Sequence, residues 1–275
     1  MEQNFSSLAN ACTIIIKSAG EMASGIAVRL YKAGFTRLVF LETDCPLAVR
    51  RSVAFSEAVF EGSQVVEDIR ARRVSGLQDI GPAWAEGVLP LLVDPKWTLI
   101  PLLRPQVTLD ALIAKRNVGT RLDEAPLVLA LGPGFVAGQD AHCVIETQRG
   151  HDLGRLYYQG SAAPNTGIPG EIGGQSLRRV LRAPCEGIMH SSCQIGERIE
   201  EGQIVCRVEG QEVPAALSGV LRGCLRNGVR VRQGAKLGDI DPRGKLEYCF
   251  SVSEKARALG GAVLEAVCAN SARFA

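Results

Sequence analysis

Residues 187–208, GIMHSSCQIGERIEEGQIVCRV, align without a gap on residues 219–240, GVLRGCLRNGVRVRQGAKLGDI. Three glycines coincide (Gly187/Gly219, Gly196/Gly228 and Gly202/Gly234), as do Arg198 and Arg230. So do the apolar pairs Ile188/Val220, Ile199/Val231 and Val208/Ile240. Short apolar runs broken by glycine at matched positions predict two copies of one β-unit, each burying its apolar face against the other.

The half-repeat resembles the biotinyl/lipoyl carrier domains, a flattened barrel-sandwich with two-fold pseudosymmetry. In those carriers the modified lysine sits on the hairpin between the halves. Here that hairpin reads VEGQEVPA, residues 208–215, and has no lysine; Lys236 and Lys245 lie elsewhere. Covalent biotin or lipoate is therefore not expected.

The first 150 residues follow a different rule. Apolar runs at residues 13–17, 37–41, 88–93, 107–114, 127–131 and 141–145 each stop abruptly in polar or glycine residues. They lack the alternation of a half-exposed strand, so they predict strands buried on both faces, as in a parallel sheet. A helix is expected over residues 23–32, with Gly34 as its stop, and another over 253–270. Residues 53–74 fit either helix or strand. The fold expected is α/β: a Rossmann-like parallel sheet domain over residues 11–178, the barrel-sandwich β-domain over 179–244, and a C-terminal helical segment over 245–275 packing on the first domain. In such a sheet the strands' carboxyl ends share one edge, where ligands bind.

That edge gathers the candidate residues. Read as a dinucleotide fingerprint, the first loop supplies Ser18, Gly20 and Ala23, with Gly25 further along the helix and Glu42 closing the second strand. Ser18 stands where the tight turn wants glycine, and Glu21 puts a carboxylate beside a phosphate site; a tightly packed strand-to-helix turn explains the loop equally well. In CPLAVRR, Pro46 suits the first position of a helix, which would make Cys45 its cap and a candidate reactive thiol. An inert capping residue is the plainer alternative. Arg50 and Arg51 are candidate anion ligands or surface ion pairs. Lys115 and Asn117 leave the fourth run, and Glu146 and His151 the last; Lys115, Glu146 and His151 are candidate proton-transfer groups. Gly132 and Gly134 can pass under a ligand. Each of these residue types is more often a structural hydrogen-bonding group than a catalyst.

The totals narrow the classes. The chain has 275 residues, 46% hydrophobic, and a formal net charge of +2, with arginines scattered rather than striped. No nucleic-acid partner is expected. The beginning of the sequence lacks a basic start and apolar run, and no segment is apolar over a bilayer's width, so a cytoplasmic location without membrane contact is expected. The nine cysteines form no CxxC pair, so neither a metal site nor a disulfide frame is expected.

The stretches SAGEMASGIAVRLYKAGF, PLAVRRSVAFSEAVFEG, LDALIAKRNVGT, LALGPGFVAGQDAHCVIETQRGHDLGR, GSAAPNTGIPGEIGG and DPRGKLEYCFSVS resemble the YqeB-type accessory proteins of the selenium-dependent molybdenum hydroxylase system. The resemblance implies a maturation role with a molybdenum hydroxylase or other maturation proteins as partners. It also implies a dinucleotide or molybdopterin-type nucleotide as cofactor. An NAD(P)-dependent oxidoreductase, with Lys115 or His151 donating the proton, and a non-catalytic assembly scaffold are the alternatives.

Overall fold

The computed structural model describes residues 8–274. The chain divides into two compact units. The first takes the chain up to Pro46, Phe55–Asn165 and the chain from Val252 onward; the second takes Leu47–Ala54 and Thr166–Ser251.

The first unit is built on a nine-stranded sheet. Its strands are β1 (Ile14–Lys17), β2 (Leu38–Glu42), β3 (Ser63–Val66), β4 (Ile69–Arg73), β5 (Leu89–Val93), β6 (Val107–Asp110), β7 (Leu127–Leu131), β8 (Cys143–Ile145) and β9 (Leu156–Tyr157). Their order is β3-β4-β5-β2-β1-β6-β7-β8-β9. Strands β4 to β8 in that order run parallel, with β1 at the centre paired to β2 and β6. The outermost strands β3 and β9 are antiparallel to their neighbours. The expected all-parallel Rossmann-like sheet is thus corrected to a mixed one. The difference lies partly in the ambiguous residues 53–74, whose second half folds as the β3–β4 hairpin.

Every residue of β1, β2, β6 and β7 is buried, which is why these runs are mostly apolar without alternation, their polar members being Thr108 and the residues that close β1, β2 and β6. β6 ends at Asp110, before the leucine, isoleucine and alanine that seemed to extend it. Helices in this unit are α1 (Glu21–Lys32), α2 (Ala58–Glu61), α3 (Ile80–Ala85), α4 (Ile100–Leu103) and α5 (Glu254–Ala269). Ser253 caps α5, its hydroxyl accepting from the Ala256 amide.

α1 and α5 pack backbone to backbone. A Cβ on Gly25 would lie 2.6 Å from the Ala256 Cβ and 2.8 Å from Val252 Cγ1; one on Gly260 would lie 2.7 Å from the Arg29 Cβ. Contacts advance together along both helices, so they run in the same direction and their N-termini share one end.

The second unit contains two open four-stranded antiparallel sheets, in the orders β10-β17-β15-β12 and β14-β13-β11-β16. The strands are β10 (Val180–Arg182), β11 (Gly187–Ser191), β12 (Arg198–Ile199), β13 (Ile204–Val208), β14 (Gln211–Pro214), β15 (Gly219–Cys224), β16 (Arg230–Val231) and β17 (Lys236–Asp241). The repeat is visible as three matched strands per half, with reciprocal pairing: β12 joins β15, and β16 joins β11. Leu181, Met189, Val205, Leu221, Leu237 and Ile240 are among the residues of its core. The expectation of a biotinyl/lipoyl-like barrel-sandwich is corrected to this pair of separate sheets, each ending in its own edge strands.

Candidate functional site

In an open α/β sheet the crevice for ligands opens where consecutive strands turn to opposite sides, outside the carboxyl ends. Here that point lies between β1 and β6. β1 leads to β2 on one side, whereas β6 begins the run through β7 and β8 on the other. A buried polar network occupies it. Lys17, fully buried, donates to Thr120 Oγ1 at 2.8 Å and to Glu124 Oε1 at 2.7 Å. Its ammonium stands 5.5 Å from the Trp97 ring centre. Thr120 in turn donates to Asp110 Oδ2 at 2.6 Å. Burial pushes the Asp110 carboxyl up from the ordinary range, while Thr120, the Leu112 amide and Lys17 pull it back. The second oxygen of Glu124 is buried without a partner.

The first loop is closed by its own residues. Ser18 sits at φ +86°, a left-handed conformation that favours glycine, and its hydroxyl accepts from the Gly20 amide at 3.1 Å. Glu42 is buried at the end of β2. It accepts from the Ala19 amide at 2.7 Å and the Thr43 amide at 2.8 Å, with the Ser18 hydroxyl at 3.4 Å. Burial raises its pKa despite these donors. One carboxylate oxygen thus takes a loop amide directly after β1. Gly20 is the N-cap of α1, whose first turn receives no side-chain cap. Ala23 is buried, and Gly25 is needed for the contact with α5 rather than for a ligand.

The later strand ends are also cross-braced. Asn117 is fully engaged: its Nδ2 donates to Thr120 O and Asp140 Oδ1, and its Oδ1 accepts from the Gly119 and Thr120 amides. Gly132 and Gly134 have positive φ, and a Cβ there would lie 2.5 Å from Thr147 Oγ1 and 2.3 Å from the Arg116 Cα respectively. These glycines let neighbouring loops stack. Glu146 is buried and accepts three backbone amides, from Thr147, Gln148 and Ala163, each at 2.7 Å. His151 and Lys115 are exposed.

Cys45 is exposed and no helix follows Pro46, so the expected helix cap is corrected; the chain forms a 3-10 turn only at Arg51–Val53. Arg50 and Arg51 lie in the second unit. Arg50 Nη2 donates to the carbonyls of Tyr248 and Ser251, and Arg51 Nε to that of Cys224.

Lys255, on the first turn of α5, escaped the sequence reading. Half-buried, it has its pKa lowered by burial first and then by Arg149 and Lys115, against the pull of Glu21 and Glu146. Arg149 is paired with Glu254. A cation in a helix's first turn opposes the macrodipole, and this anomaly was legible in SEKARALGG. Lys17 carried a signal too: a lysine directly after three isoleucines, with no break before it. Among the described residues, no group of three or more His, Cys, Asp or Glu could hold a metal ion. Nor is any helix long and apolar enough to cross a membrane.

No family model matches the chain. It is similar to the uncharacterized protein YqeB of Escherichia coli K12, with 47% identity over 254 residues, covering 92% of this chain and 47% of YqeB. The chain therefore spans about half the length of that relative. It is also similar to the propionyl-CoA carboxylase alpha chain of Ruegeria pomeroyi, 25% identical over 226 residues, 74% of this chain and 30% of that protein. Among solved structures, an aspartoacylase family protein of Mesorhizobium loti has a TM-score of 0.27 at 10% identity, covering 83% of this chain and 84% of that one. The apo ectoine utilization protein EutE of Ruegeria pomeroyi has a TM-score of 0.25 at 9% identity, covering 84% and 86%. The identity to YqeB extends over nearly the whole chain, and that relative is uncharacterized.

Proposed function

We propose that the chain is a cytoplasmic accessory protein of a selenium-dependent molybdenum hydroxylase system. Its first unit would hold the phosphate-bearing part of a nucleotide-containing or pterin cofactor at the carboxyl edge of the sheet. The observation that carries this is Lys255. Its half-buried ammonium is disfavoured three times over, by desolvation, by Arg149 and Lys115, and by its place in the first turn of α5. An anion beside it would offset these costs, which Glu21 and Glu146 offset only in part. The first turn of α1, whose Gly20 N-cap supplies no side-chain cap, lies at the same end of the paired helices. Glu42, whose two oxygens already accept from the Ala19 and Thr43 amides, supports an adenine dinucleotide less well, since less of its accepting capacity is left for a ribose.

The protein purified from cells supplied with molybdate and selenite, then analysed by mass spectrometry and elemental analysis, is expected to carry a pterin- or nucleotide-type phosphate compound. Lys255→Glu should lose it by tenfold or more, about 1.4 kcal/mol in binding. A variant that retains the compound at the wild-type level would sink the anion assignment.

A further inference from the structure

The switch-point crevice is filled by Lys17, Thr120 and Asp110, and the first loop by Glu42, but a cleft opens farther along the same edge. A cleft of about 480 Å³ lies at the carboxyl ends of β4 and β5, between residues 73–77 and 92–99. This falls within the size range of small-molecule sites. We infer that it binds a planar, uncharged heteroaromatic ring of nucleobase or pterin size, presenting a donor and an acceptor on one edge. The inference deepens the cofactor reading above and rests on it for the cofactor class.

The lining dictates the ligand's character. Val74, Leu77, Leu92 and Leu99 form apolar walls suited to the faces of a ring. The lining also holds one cation, Arg73, and one anion, Asp94. A lining with one charge of each sign has no net charge to offer but matches a mixed edge, with N–H toward the carboxylate and carbonyl or ring nitrogen toward the guanidinium. Both partners are held in place. Asp94 is buried and fixed by Thr98 Oγ1 at 2.9 Å and the Leu99 amide at 2.8 Å, each of its oxygens keeping a further lone pair. Arg73 is anchored through Nη1 to the Val59 carbonyl at 2.8 Å, which leaves its other N–H groups to donate.

The site has a built-in reporter. Both tryptophans of the chain, Trp84 and Trp97, pack in the same apolar cluster as Val74, Leu92 and Leu99. Titration of the full chain with free pterin and with guanosine, followed by tryptophan emission, is expected to give saturable quenching. Arg73→Met should weaken it about tenfold. Leu77→Glu, at an exposed wall position, should abolish it. Circular dichroism of each variant is expected to match the wild type, since both side chains are exposed or at the rim. Equal quenching in wild type and both variants would overturn the inference while leaving a heterocyclic cofactor bound elsewhere. Absence of quenching in wild type, with a pterin or nucleotide compound still co-purifying, would overturn the inference alone. If neither is seen, both assignments fall.

Discussion

Lys17→Met is expected to destabilise the first unit by about 3–5 kcal/mol, the usual cost of removing one partner from a buried ion pair. Methionine fills the volume, so the loss is electrostatic: Glu124 loses its ion-pair partner and Asp110 the cation that steadied its charge. The deficit is also expected to depend on pH, with a sign fixed by Asp110. Its folded pKa lies above the unfolded value, so the fold disfavours the ionised carboxylate and loses stability as pH rises through that interval. Without Lys17 the pKa rises further. The variant should therefore approach wild type at about pH 4 and fall furthest behind at about pH 8. Urea unfolding followed by tryptophan emission reads this directly, because both tryptophans belong to the first unit. Adding Glu124→Gln should restore part of the loss at neutral pH. A pH-independent deficit below about 1 kcal/mol would mean that the network contributes nothing beyond packing.

Gly25→Val is the second large effect, about 3 kcal/mol or more. Alanine would be a close contest: it gains about 1 kcal/mol over glycine in helix propensity but loses about 1–3 kcal/mol to overpacking. With Ala256 and Val252 only 2.6 and 2.8 Å from the first carbon added, overpacking wins. Valine adds two more methyl groups to the same contact. Thermal denaturation should rank wild type above Gly25→Ala and that above Gly25→Val. If Gly25→Ala raised the melting temperature, the close α1–α5 contact would be refuted.

The sequence showed the buried strands well because burial on both faces leaves uniformly apolar runs, and β1, β2, β5 and β7 fall on them within a residue or so. It showed the repeat because glycine turns must recur where strands recur. The antiparallel edges were hidden for the opposite reason. β3 reads SQVV and β4 IRARR, half polar and half exposed, and nothing local tells such a hairpin from an amphipathic helix. The likeness of the repeat to a carrier domain rested on glycine spacing, which fixes turns but not how sheets join.

The candidate site was legible as a place more than as a set of residues. Strand ends supplied Glu42, Lys115, Asn117 and Glu146. Local sequence could not say that Glu42, Asn117 and Glu146 would spend their polar atoms on backbone amides. Gly25, which seemed part of a fingerprint, answers to a helix more than two hundred residues away. Lys255 comes from that same helix and reaches the sheet edge only through tertiary packing.

Lys255 is therefore the group on which the anion site depends. Calorimetric titration of the full chain with inorganic pyrophosphate is the direct measurement. Saturable binding is predicted, weakening as salt is raised and falling at least about tenfold in Lys255→Glu. No binding at all, or the same affinity in wild type and Lys255→Glu, would contradict an anion site at this edge of the sheet.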